Sequence, residues 1–341
     1  MNVLSATYGR ATEWRRAWYG RPDRVRRLDR PVISVGNLVL GGSGKTPLVA
    51  ALARLLSAAG ERPSILSRGY GRQRAADGVL VVSDGEQVLA EAAQAGDEPC
   101  MLARALAGVP VFVSPDRYLS GRLAERRFGS TVHLLDDGFQ HVRLARDIDL
   151  LAVRASDLGE RLLPFGRLRE PLSAARAADA LLVAGSDEDA GALARALGVE
   201  TVFRVAARYH PLRAISPAAS SAGMPGRALA VAGIARPEPF LTALRERGVD
   251  VAGEMVFRDH HWFTARDVEA IERAAAAAGA DVVITTEKDA ARLPASVGRD
   301  LMSPRIPWAV LPLELTIEPP EVFAAWLAGR LAAARRRRVA A

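Results

Sequence analysis

The sequence predicts an α/β protein in which a parallel sheet domain is followed by a smaller α/β domain. Apolar runs rich in β-branched residues alternate with helical apolar patterns along the chain, which is typical of parallel sheets flanked by helices. The length of 341 residues exceeds what one hydrophobic core usually serves, so we expect two domains. A glycine-rich segment, GNLVLGGSGKTP (36–47), joins the first apolar run to the first long helical pattern.

The elements of the first domain follow from these patterns. PVISVGNLVL (31–40) predicts a buried strand, and PLVAALARLLSAAG (47–60) predicts a helix that ends at its final glycine. Further strands are expected at 64–67, 109–113, 131–135 and 148–153, with helices at 98–107 and 117–127.

The second half alternates in the same way. Strands are expected at 180–184, 228–233, 281–285 and 308–313, and helices at 187–197, 237–247, 264–278 and 320–334. Residues 201–213 are predicted to be extended chain that links the halves. No Gly-x-Gly-x-x-Gly turn follows a strand here, so a second dinucleotide site is not expected. The predicted domains are an amphipathic membrane-interface segment (1–28), the first domain (29–176), a C-terminal, Rossmann-like α/β domain (177–318), and a C-terminal helix with an Arg-rich tail (319–341).

The glycine-rich segment predicts a phosphate-binding loop (P-loop), and hence a P-loop NTPase-like sheet in the first domain. Lys45 and Thr46 stand at the offsets where a lysine contacts phosphates and a hydroxyl contacts Mg²⁺. A following helix adds the positive end of its dipole. Val39 replaces the usual first glycine, so a turn that binds no nucleotide is the alternative. The predicted cradle consists of Gly41, Gly42, Ser43, Gly44, Lys45 and Thr46.

Lysine usage singles out the same loop. Among 46 basic residues, only Lys45 and Lys288 are lysines. The guanidinium of arginine is wide and planar, whereas the ammonium of lysine is a compact point charge. A position that has lysine in this arginine-rich chain is therefore a candidate for a role that arginine does not fill. Codon bias explains the excess of arginine equally well.

Composition limits the possible classes of protein. The net charge is +7, and 49% of the residues are hydrophobic, as in a globular domain. A single cysteine, Cys100, excludes an internal disulfide and suits a reducing compartment. No run of eighteen apolar residues predicts an ordinary membrane-spanning helix.

The N-terminal segment combines positive charge with aromatic residues. Residues 1–30 contain eight arginines against three acidic residues. Trp14 and Trp18 share one face of a helix, and Tyr19 follows them. This composition favours contact with a membrane surface that carries anionic lipids. A solvated helix and a nucleic-acid arm are the alternatives.

Two adjacent carboxylates end a predicted strand in TVHLLDDGFQH (131–141). In P-loop enzymes an Asp at the end of a neighbouring strand holds Mg²⁺, so Asp136 is a metal candidate, and Asp137 a candidate for the metal or the acceptor. A polar turn is the alternative, since Asp-Gly is a common turn signal.

Two further segments contain candidates for acid–base chemistry. Asp97 in AGDEPC (95–100) lies at a probable helix start, where acidic residues also act as ordinary caps. His260 in FRDHHWF (257–263) follows Asp259, and such a pair is able to orient a base. Arginines in SRGYGR (67–72), SPDRY (114–118) and FGRLRE (165–170) suit phosphate contacts.

Taken together, these segments resemble the tetraacyldisaccharide 4′-kinase family of lipid A biosynthesis. The resemblance rests on VGNLVLGGSGKTP, LSRGYGR, AGDEP, DDGFQH followed by RLARD, the Leu-Pro, Gly and Leu-Arg-Glu of 163–170, the Phe and Asp-His of 257–260, and TTEKDA, in family order from about residue 31 to 293. The phosphate-binding loop of that family resembles this one also in lacking the usual first glycine. The resemblance implies transfer of a phosphoryl group from ATP, with Mg²⁺, to the 4′-hydroxyl of a tetraacylated glucosamine disaccharide 1-phosphate. It implies a peripheral or monotopic protein on the cytoplasmic face of the bacterial inner membrane, with no nucleic acid as partner.

The resemblance also implies residue roles. Lys45 and Thr46 would hold phosphates and Mg²⁺, and Asp97 would be the general base, polarised by His260. The residues implied to support the metal and the transition state are Asp136, Asp137 and Glu170. Further active-site candidates, implied to bind substrate, are Arg117, His141 and Arg169.

Two other functions fit the sequence. One is a P-loop synthetase that acts on a different small acceptor, which would not need the basic, aromatic N-terminus. The other is a membrane-associated P-loop ATPase without a lipid acceptor. Arg167 stands where a proline is frequent in the resembling family, which leaves the shape of that loop open.

Overall fold

The computed structural model describes residues 3–42, 44–74, 77–215, 226–294, 297 and 306–339, and these residues form two sheets covered by helices. Strands β1 to β14 are Val32–Gly36, Pro63–Ser67, Leu80–Ser83, Val111–Val113, Val132–Asp136, Ile148–Val153, Ala180–Val183, Val202–Tyr209, Arg213–Ala214, Arg227–Ala232, Asp250–Val256, Val282–Thr285, Trp308–Val310 and Leu313–Glu318. Helices α1 to α10 are Val3–Tyr19, Lys45–Ala58, Ala92–Ala95, Asp97–Ala105, Arg117–Phe128, Asp187–Leu197, Glu238–Glu246, Ala265–Ala277, Glu287–Ala290 and Pro320–Val339.

The larger sheet has the strand order β14-β8-β7-β6-β1-β5-β2-β4-β3. Its interior pairs, from β8 to β4, are all parallel, and the two edge strands β14 and β3 are antiparallel. Apolar residues of β1 and β5 are buried on both faces because α2, α4 and α10 cover one face and α5 and α6 the other. Burial on both faces explains the continuous apolar runs in the sequence.

The smaller sheet has the order β11-β10-β12-β13-β9, with only β9 antiparallel to its neighbour. Helix α7 packs on one face and α8 on the other. The predicted class, α/β with a large parallel-dominated sheet, is confirmed, and nearly all predicted helices are observed within a few residues of their predicted ends.

Two strands from the second half of the chain, β7 and β8, belong to the larger sheet, which the sequence analysis did not predict. β7 was expected in the second α/β block, and residues 201–213, which contain β8, were expected to be extended chain that links the halves. Instead β7 pairs with β6, and β8 pairs with β7, in the larger sheet. The periodicity of a strand reveals that it is buried, not which strand it will pair with. The change of sheet falls between Tyr209 and Arg213. Separate folding of 29–176 and 177–318 stays a prediction.

The strand expected at 308–313 is two strands in different sheets. β13 pairs with β12 in the smaller sheet, whereas β14 pairs with β8 at the edge of the larger sheet. Pro312 lies between them and has no backbone N–H to continue a ladder. The chain therefore returns to the first sheet before α10, whose Phe323, Leu327 and Leu331 are buried in the core of that sheet.

Helix α1 packs on the larger domain rather than projecting from it. Ser5 and Gly9 are buried, and a Cβ at Gly9 would lie 3.1 Å from the Leu162 side chain. The Tyr8 hydroxyl donates a 2.9 Å hydrogen bond to the Arg169 carbonyl. Within the described residues, none of the helices has both the length and the apolar character needed to cross a bilayer.

The carboxyl ends of β1, β5 and β2 lie at one edge of the larger sheet, the usual place for a ligand in such folds. The loop after β10 faces this edge, since a Cβ at Gly42 would lie 3.1 Å from the Ala235 Cβ. The edge and the smaller domain thus face each other, and the space between them is called the cleft below.

Candidate active site

The predicted P-loop connects β1 to α2 with the expected geometry. Gly44 and Gly41 have positive φ angles of 74° and 94°, which favour glycine. A Cβ at Gly41 would also lie 2.6 Å from the Arg167 guanidinium. Val39, at the position of the usual first glycine, is buried and pairs with Leu168. The loop therefore turns at its second half instead. Ser43 lies outside the described residues.

Lys45 begins α2 and points back across the loop. Its Nζ donates to the Asn37 Oδ1 at 3.0 Å and lies 3.5 Å from the Asp137 Oδ1. Asn37, which the sequence analysis did not select, thus orients the lysine. Thr46 follows and is almost completely buried. Both residues lie at a helix N-terminus, where backbone N–H groups and the helix dipole favour an anion.

Asp137 is held in its ionised form by two cations. The Arg169 guanidinium donates to both of its carboxylate oxygens, at 2.8 and 2.7 Å. Burial by itself would raise the pKa of Asp137, but Lys45 and Arg169 together hold it well below its usual range. The backbone of Asp137 has a φ of 53°, which is uncommon for a residue other than glycine.

The pKa of Asp136, at the end of β5, is shifted in the opposite direction to that of Asp137. It is buried, and burial, followed by the nearby charges of Glu98 and Asp137, raises its pKa to about 7. The Ser67 hydroxyl donates to its Oδ2 at 3.4 Å, while no described residue bonds to its Oδ1. A buried carboxylate oxygen without a partner is costly unless a cation or donor reaches it.

The surroundings of Asp136 and Thr46 fit a Mg²⁺ ion that is bound jointly by the protein and by nucleotide phosphates. Within the described residues no group of three or more His, Cys, Asp or Glu side chains is arranged to hold a metal ion. Mg²⁺ is usually bound by only one or two carboxylates together with substrate phosphates. The unpartnered Oδ1 of Asp136, at the carboxyl end of β5, and the hydroxyl of Thr46, at the start of α2, are oxygen atoms of the kind that this mode of binding requires.

Asp97 forms a second centre, at the start of α4. Only 3% of it is exposed. Its Oδ2 lies 3.0 Å from the His260 Nδ1 and 3.5 Å from the Arg292 Nε. Burial alone would raise the pKa of Asp97, but His260, Lys288 and Arg292 together lower it. Asp97 is therefore an anion at neutral pH, and its oxygens are able to accept a proton from a neighbouring hydroxyl.

The smaller domain supplies the partners of Asp97. His260 lies in the turn after β11, with a φ of 60°, and Lys288 and Arg292 lie in and just after α9. A carboxylate of the larger domain and a histidine 163 residues away thus meet across the cleft. Sequence reasoning predicted the Asp97–His260 pair from the family resemblance, but it did not place Lys288 or Arg292 in it.

The remaining candidates occupy positions beside the two centres. Arg117 is buried, and its guanidinium lies 3.2 Å from the His141 Nδ1; burial lowers the pKa of Arg117 to about 10. Glu170 is buried and forms a 2.5 Å ion pair with Arg16 of α1. The predicted role of Glu170 at the metal and those of Arg117 and His141 toward substrate stay predictions.

The environment of His141 predicts a pH dependence of stability. Burial, followed by the charges of Arg117 and Arg146, lowers the pKa of His141 from 6.5 to about 3. Between these values the unfolded chain binds a proton that the folded protein excludes, so stability falls as the pH falls. His141→Gln should reduce this slope by up to about 1.4 kcal/mol per pH unit, measured as the free energy of urea unfolding. His210→Gln, on a half-exposed histidine, serves as the control, and parallel curves for His141→Gln and the wild type would contradict the prediction.

Comparison with known proteins shows close similarity. A family model described as tetraacyldisaccharide-1-P 4′-kinase matches residues 1–332. A Geobacter metallireducens protein named tetraacyldisaccharide 4′-kinase is 43% identical over 295 residues, covering 85% of this chain and 87% of the relative. An Anaeromyxobacter dehalogenans protein of the same name is 44% identical over 279 residues, covering 78% and 73%. A crystal structure described as the "apo" form of LpxK from Aquifex aeolicus in complex with ATP aligns with a TM-score of 0.73 at 31% identity, covering 96% of this chain and 97% of that chain.

Proposed function

This chain belongs to the tetraacyldisaccharide-1-P 4′-kinase family, and from that premise we propose how its residues perform the reaction. The activity is an ATP-dependent transfer of a phosphoryl group to the 4′-hydroxyl of a tetraacylated glucosamine disaccharide 1-phosphate in lipid A biosynthesis. The observation that carries the assignment of roles is the position of Asp97. It contacts His260 of the smaller domain, and it belongs to the same larger domain as the P-loop, whose Lys45 is paired with Asp137.

The P-loop and its neighbours bind the phosphates of ATP. Backbone N–H groups at the start of α2 point toward the anion, and the Lys45 ammonium neutralises phosphate charge. Because Asn37 and Asp137 hold Lys45 in place, little side-chain entropy is lost when the nucleotide binds.

Asp136 and Thr46 would hold Mg²⁺, with Asp137 and Glu170 as further candidates. When bound, the cation neutralises charge on the phosphates and helps to align the group that is transferred. Asp137 is paired with Arg169, so its part is to keep Lys45 and Arg169 positioned at the phosphates.

Asp97 accepts the proton of the sugar hydroxyl. Phosphoryl transfer depends mainly on positioning and charge neutralisation, and a carboxylate near the attacking oxygen supplies the remaining step. His260 holds the Asp97 carboxylate toward the cleft from the smaller domain. Arg117, His141 and Arg169 are proposed to bind the acceptor or the transferred phosphate.

A transfer assay with labelled ATP and the tetraacylated disaccharide acceptor tests this function directly. We expect label on the lipid only when ATP, Mg²⁺ and acceptor are all present. Hydrolysis of ATP at the same rate without any lipid acceptor would support the membrane-associated ATPase instead. Transfer to a small carboxylate but not to the lipid would support the synthetase.

We further propose that the protein acts as a peripheral or monotopic protein at an anionic membrane surface, on the cytoplasmic face of the inner membrane. The acyl chains of the acceptor remain in the bilayer, so the cleft must approach the surface. Trp14 and Trp18 of α1 are 64% and 40% exposed, and their ring centroids are 5.2 Å apart. The other side of α1 packs on residues beside the P-loop, through Tyr8 and Arg16. An interfacial α1 would therefore hold the cleft near the headgroups.

Replacing both tryptophans with alanine should weaken binding to anionic vesicles and lower activity on membrane-embedded acceptor more than on detergent-dispersed acceptor. Point variants are preferable to truncation because removal of α1 would leave the buried Glu170 without Arg16. Co-sedimentation at two salt concentrations measures the binding, which should fall as salt rises. Leu119→Ala, an exposed apolar residue on α5, is the control. Equal binding by the wild type and the double variant would refute the proposal.

A further inference from the structure

Lys288, on the short helix α9, contacts three different acceptors. Its Nζ lies 3.3 Å from a Glu98 carboxylate oxygen, 3.5 Å from an Asp259 carboxylate oxygen and 3.3 Å from the His260 Nε2. An ammonium group has three N–H donors and no acceptor; here it donates hydrogen bonds to Asp259 and His260 and forms an ion pair with Glu98. Glu98 comes from the larger domain, whereas Asp259 and His260 come from the smaller one.

We propose that Lys288 is a positioning residue for phosphoryl transfer, which donates to the Nε2 of His260 and thereby fixes the tautomer whose Nδ1–H donates to Asp97. Lys288 would thus act through His260 and not on the substrate. The inference rests on the proposed role of Asp97 as the base.

The tautomer follows from the donor and acceptor inventory. Since Lys288 has only donors, the His260 Nε2 must accept, and the proton of the neutral ring then resides on Nδ1. Nδ1 lies 3.0 Å from the Asp97 Oδ2, a suitable distance for donation. The Asp259 carboxylate oxygen near Nε2 lies 3.7 Å away, which is too long for a hydrogen bond from the other tautomer.

The charge of Lys288 is maintained by its surroundings. Burial by itself would lower the pKa of Lys288, but the carboxylates of Glu98, Asp97 and Asp259 hold it above its usual value. The charged and titratable side chains that face Asp97 are His260 from the turn after β11, Lys288 from α9 and Arg292 just after α9. From its own helix, the Glu98 backbone N–H donates to the Asp97 Oδ1. Lys288 therefore favours the ionised form of Asp97 as well as the orientation of His260.

This arrangement explains why lysine is kept at position 288 in a chain where 44 of the 46 Lys and Arg residues are arginine. A guanidinium is a wide planar fork, which cannot direct three N–H groups from one nitrogen toward acceptors on different elements. Lys288→Arg consequently retains the charge but not the geometry, and Lys288→Met removes the charge while keeping a similar length.

Steady-state kinetics with full-length protein separates positioning from binding. Lys288→Met should lower kcat by about 10–100-fold, by analogy with the cost of removing a group that orients a metal-ligating histidine, with the KM values for ATP and acceptor unchanged. The acidic limb of the pH profile should move to higher pH, because Asp97 loses a neighbouring cation. Lys288→Arg should restore that limb but not kcat. Glu287→Gln, the adjacent residue on α9, is the matched control, since Glu287 pairs with Arg213 away from His260.

Nitrogen-15 NMR of the five histidines, with His260 assigned by a His260→Gln variant, reports the tautomer without any assay of activity. The wild type should show protonated Nδ1 and unprotonated Nε2 at His260, and Lys288→Met should lose this signature. An Nε2–H tautomer in the wild type would overturn the proposal even if Lys288→Met failed to fold. A raised KM with unchanged kcat in Lys288→Met would also overturn it, by showing that Lys288 binds substrate. Full activity of Asp97→Asn would refute the proposed role of Asp97 as the base. The tautomer of His260 would still be decided by the NMR measurement, so the two proposals are tested separately.

Discussion

Replacing Lys45 with alanine is expected to lower phosphoryl transfer by at least about 10²–10³-fold, the usual cost of removing one aligned donor at a developing charge. The fold should survive, because Asp137 keeps both hydrogen bonds from Arg169 when the ammonium is lost. Nucleotide binding by calorimetry and transfer of labelled phosphate measure the two parts of the effect. Arg54→Ala, on an exposed position of the same helix, should retain wild-type activity.

Lys45→Arg should be nearly as impaired as Lys45→Ala. The Lys45 ammonium lies 3.0 Å from Asn37 and 3.5 Å from Asp137, and the Arg169 guanidinium already donates to both of these residues. The guanidinium of an arginine at position 45 would compete with that of Arg169 for the same space and the same acceptors. Near-normal turnover of Lys45→Arg would show that charge alone is required, and would contradict the geometric interpretation.

Asp97→Asn is expected to lower kcat by about 10²–10⁴-fold, the usual cost of losing a well-placed base. The amide has a similar shape, but it accepts no proton from the sugar hydroxyl. ATP and Mg²⁺ should still bind, since Lys45, Asp136 and Asp137 belong to the other centre. Rates with saturating substrates and calorimetry of nucleotide binding provide the measurement.

The chain offers a close control for Asp97→Asn. Asp267 forms a second Asp–His pair, with His261, the residue after His260, at 3.2 Å. Unlike Asp97, Asp267 lies in the first turn of α8. Asp267→Asn should cost some stability through its capping bonds and leave kcat unchanged. A loss of ATP binding in Asp97→Asn would assign Asp97 to the nucleotide or metal site and would contradict its role as base.

Much of the proposed nucleotide centre could be selected from the sequence because its residues are neighbours in sequence. The order strand, glycine turn, Lys45, Thr46 and helix defines a P-loop locally, since each part depends on backbone conformation within a few residues. Asp136 and Asp137 were predictable for a similar reason, as they end a strand that reads as buried. Asn37 was missed because its role depends on the direction of the Lys45 side chain, which spacing does not give.

The base centre depended on tertiary structure. By residue type alone, Asp97 at a helix start was equally consistent with an ordinary cap, and the family resemblance singled it out. The contact with His260, 163 residues away, exists because loops of the smaller domain meet the carboxyl edge of the larger sheet. Lys288 was marked by its rarity as a lysine, yet only the fold shows that it completes this group.

The sequence by itself determined the α/β class, the P-loop, the family and most of the longer helices, because each is recorded in local periodicity or contiguous motifs. The tertiary structure decided which strands pair. β7, β8 and β14 join the larger sheet although all three lie within residues 177–318, which were predicted to form the second domain. It also decided that α1 packs beside Glu170 through Arg16. Pairing and docking depend on contacts between distant segments, and hydrophobic periodicity shows only that a segment is buried, not what covers it.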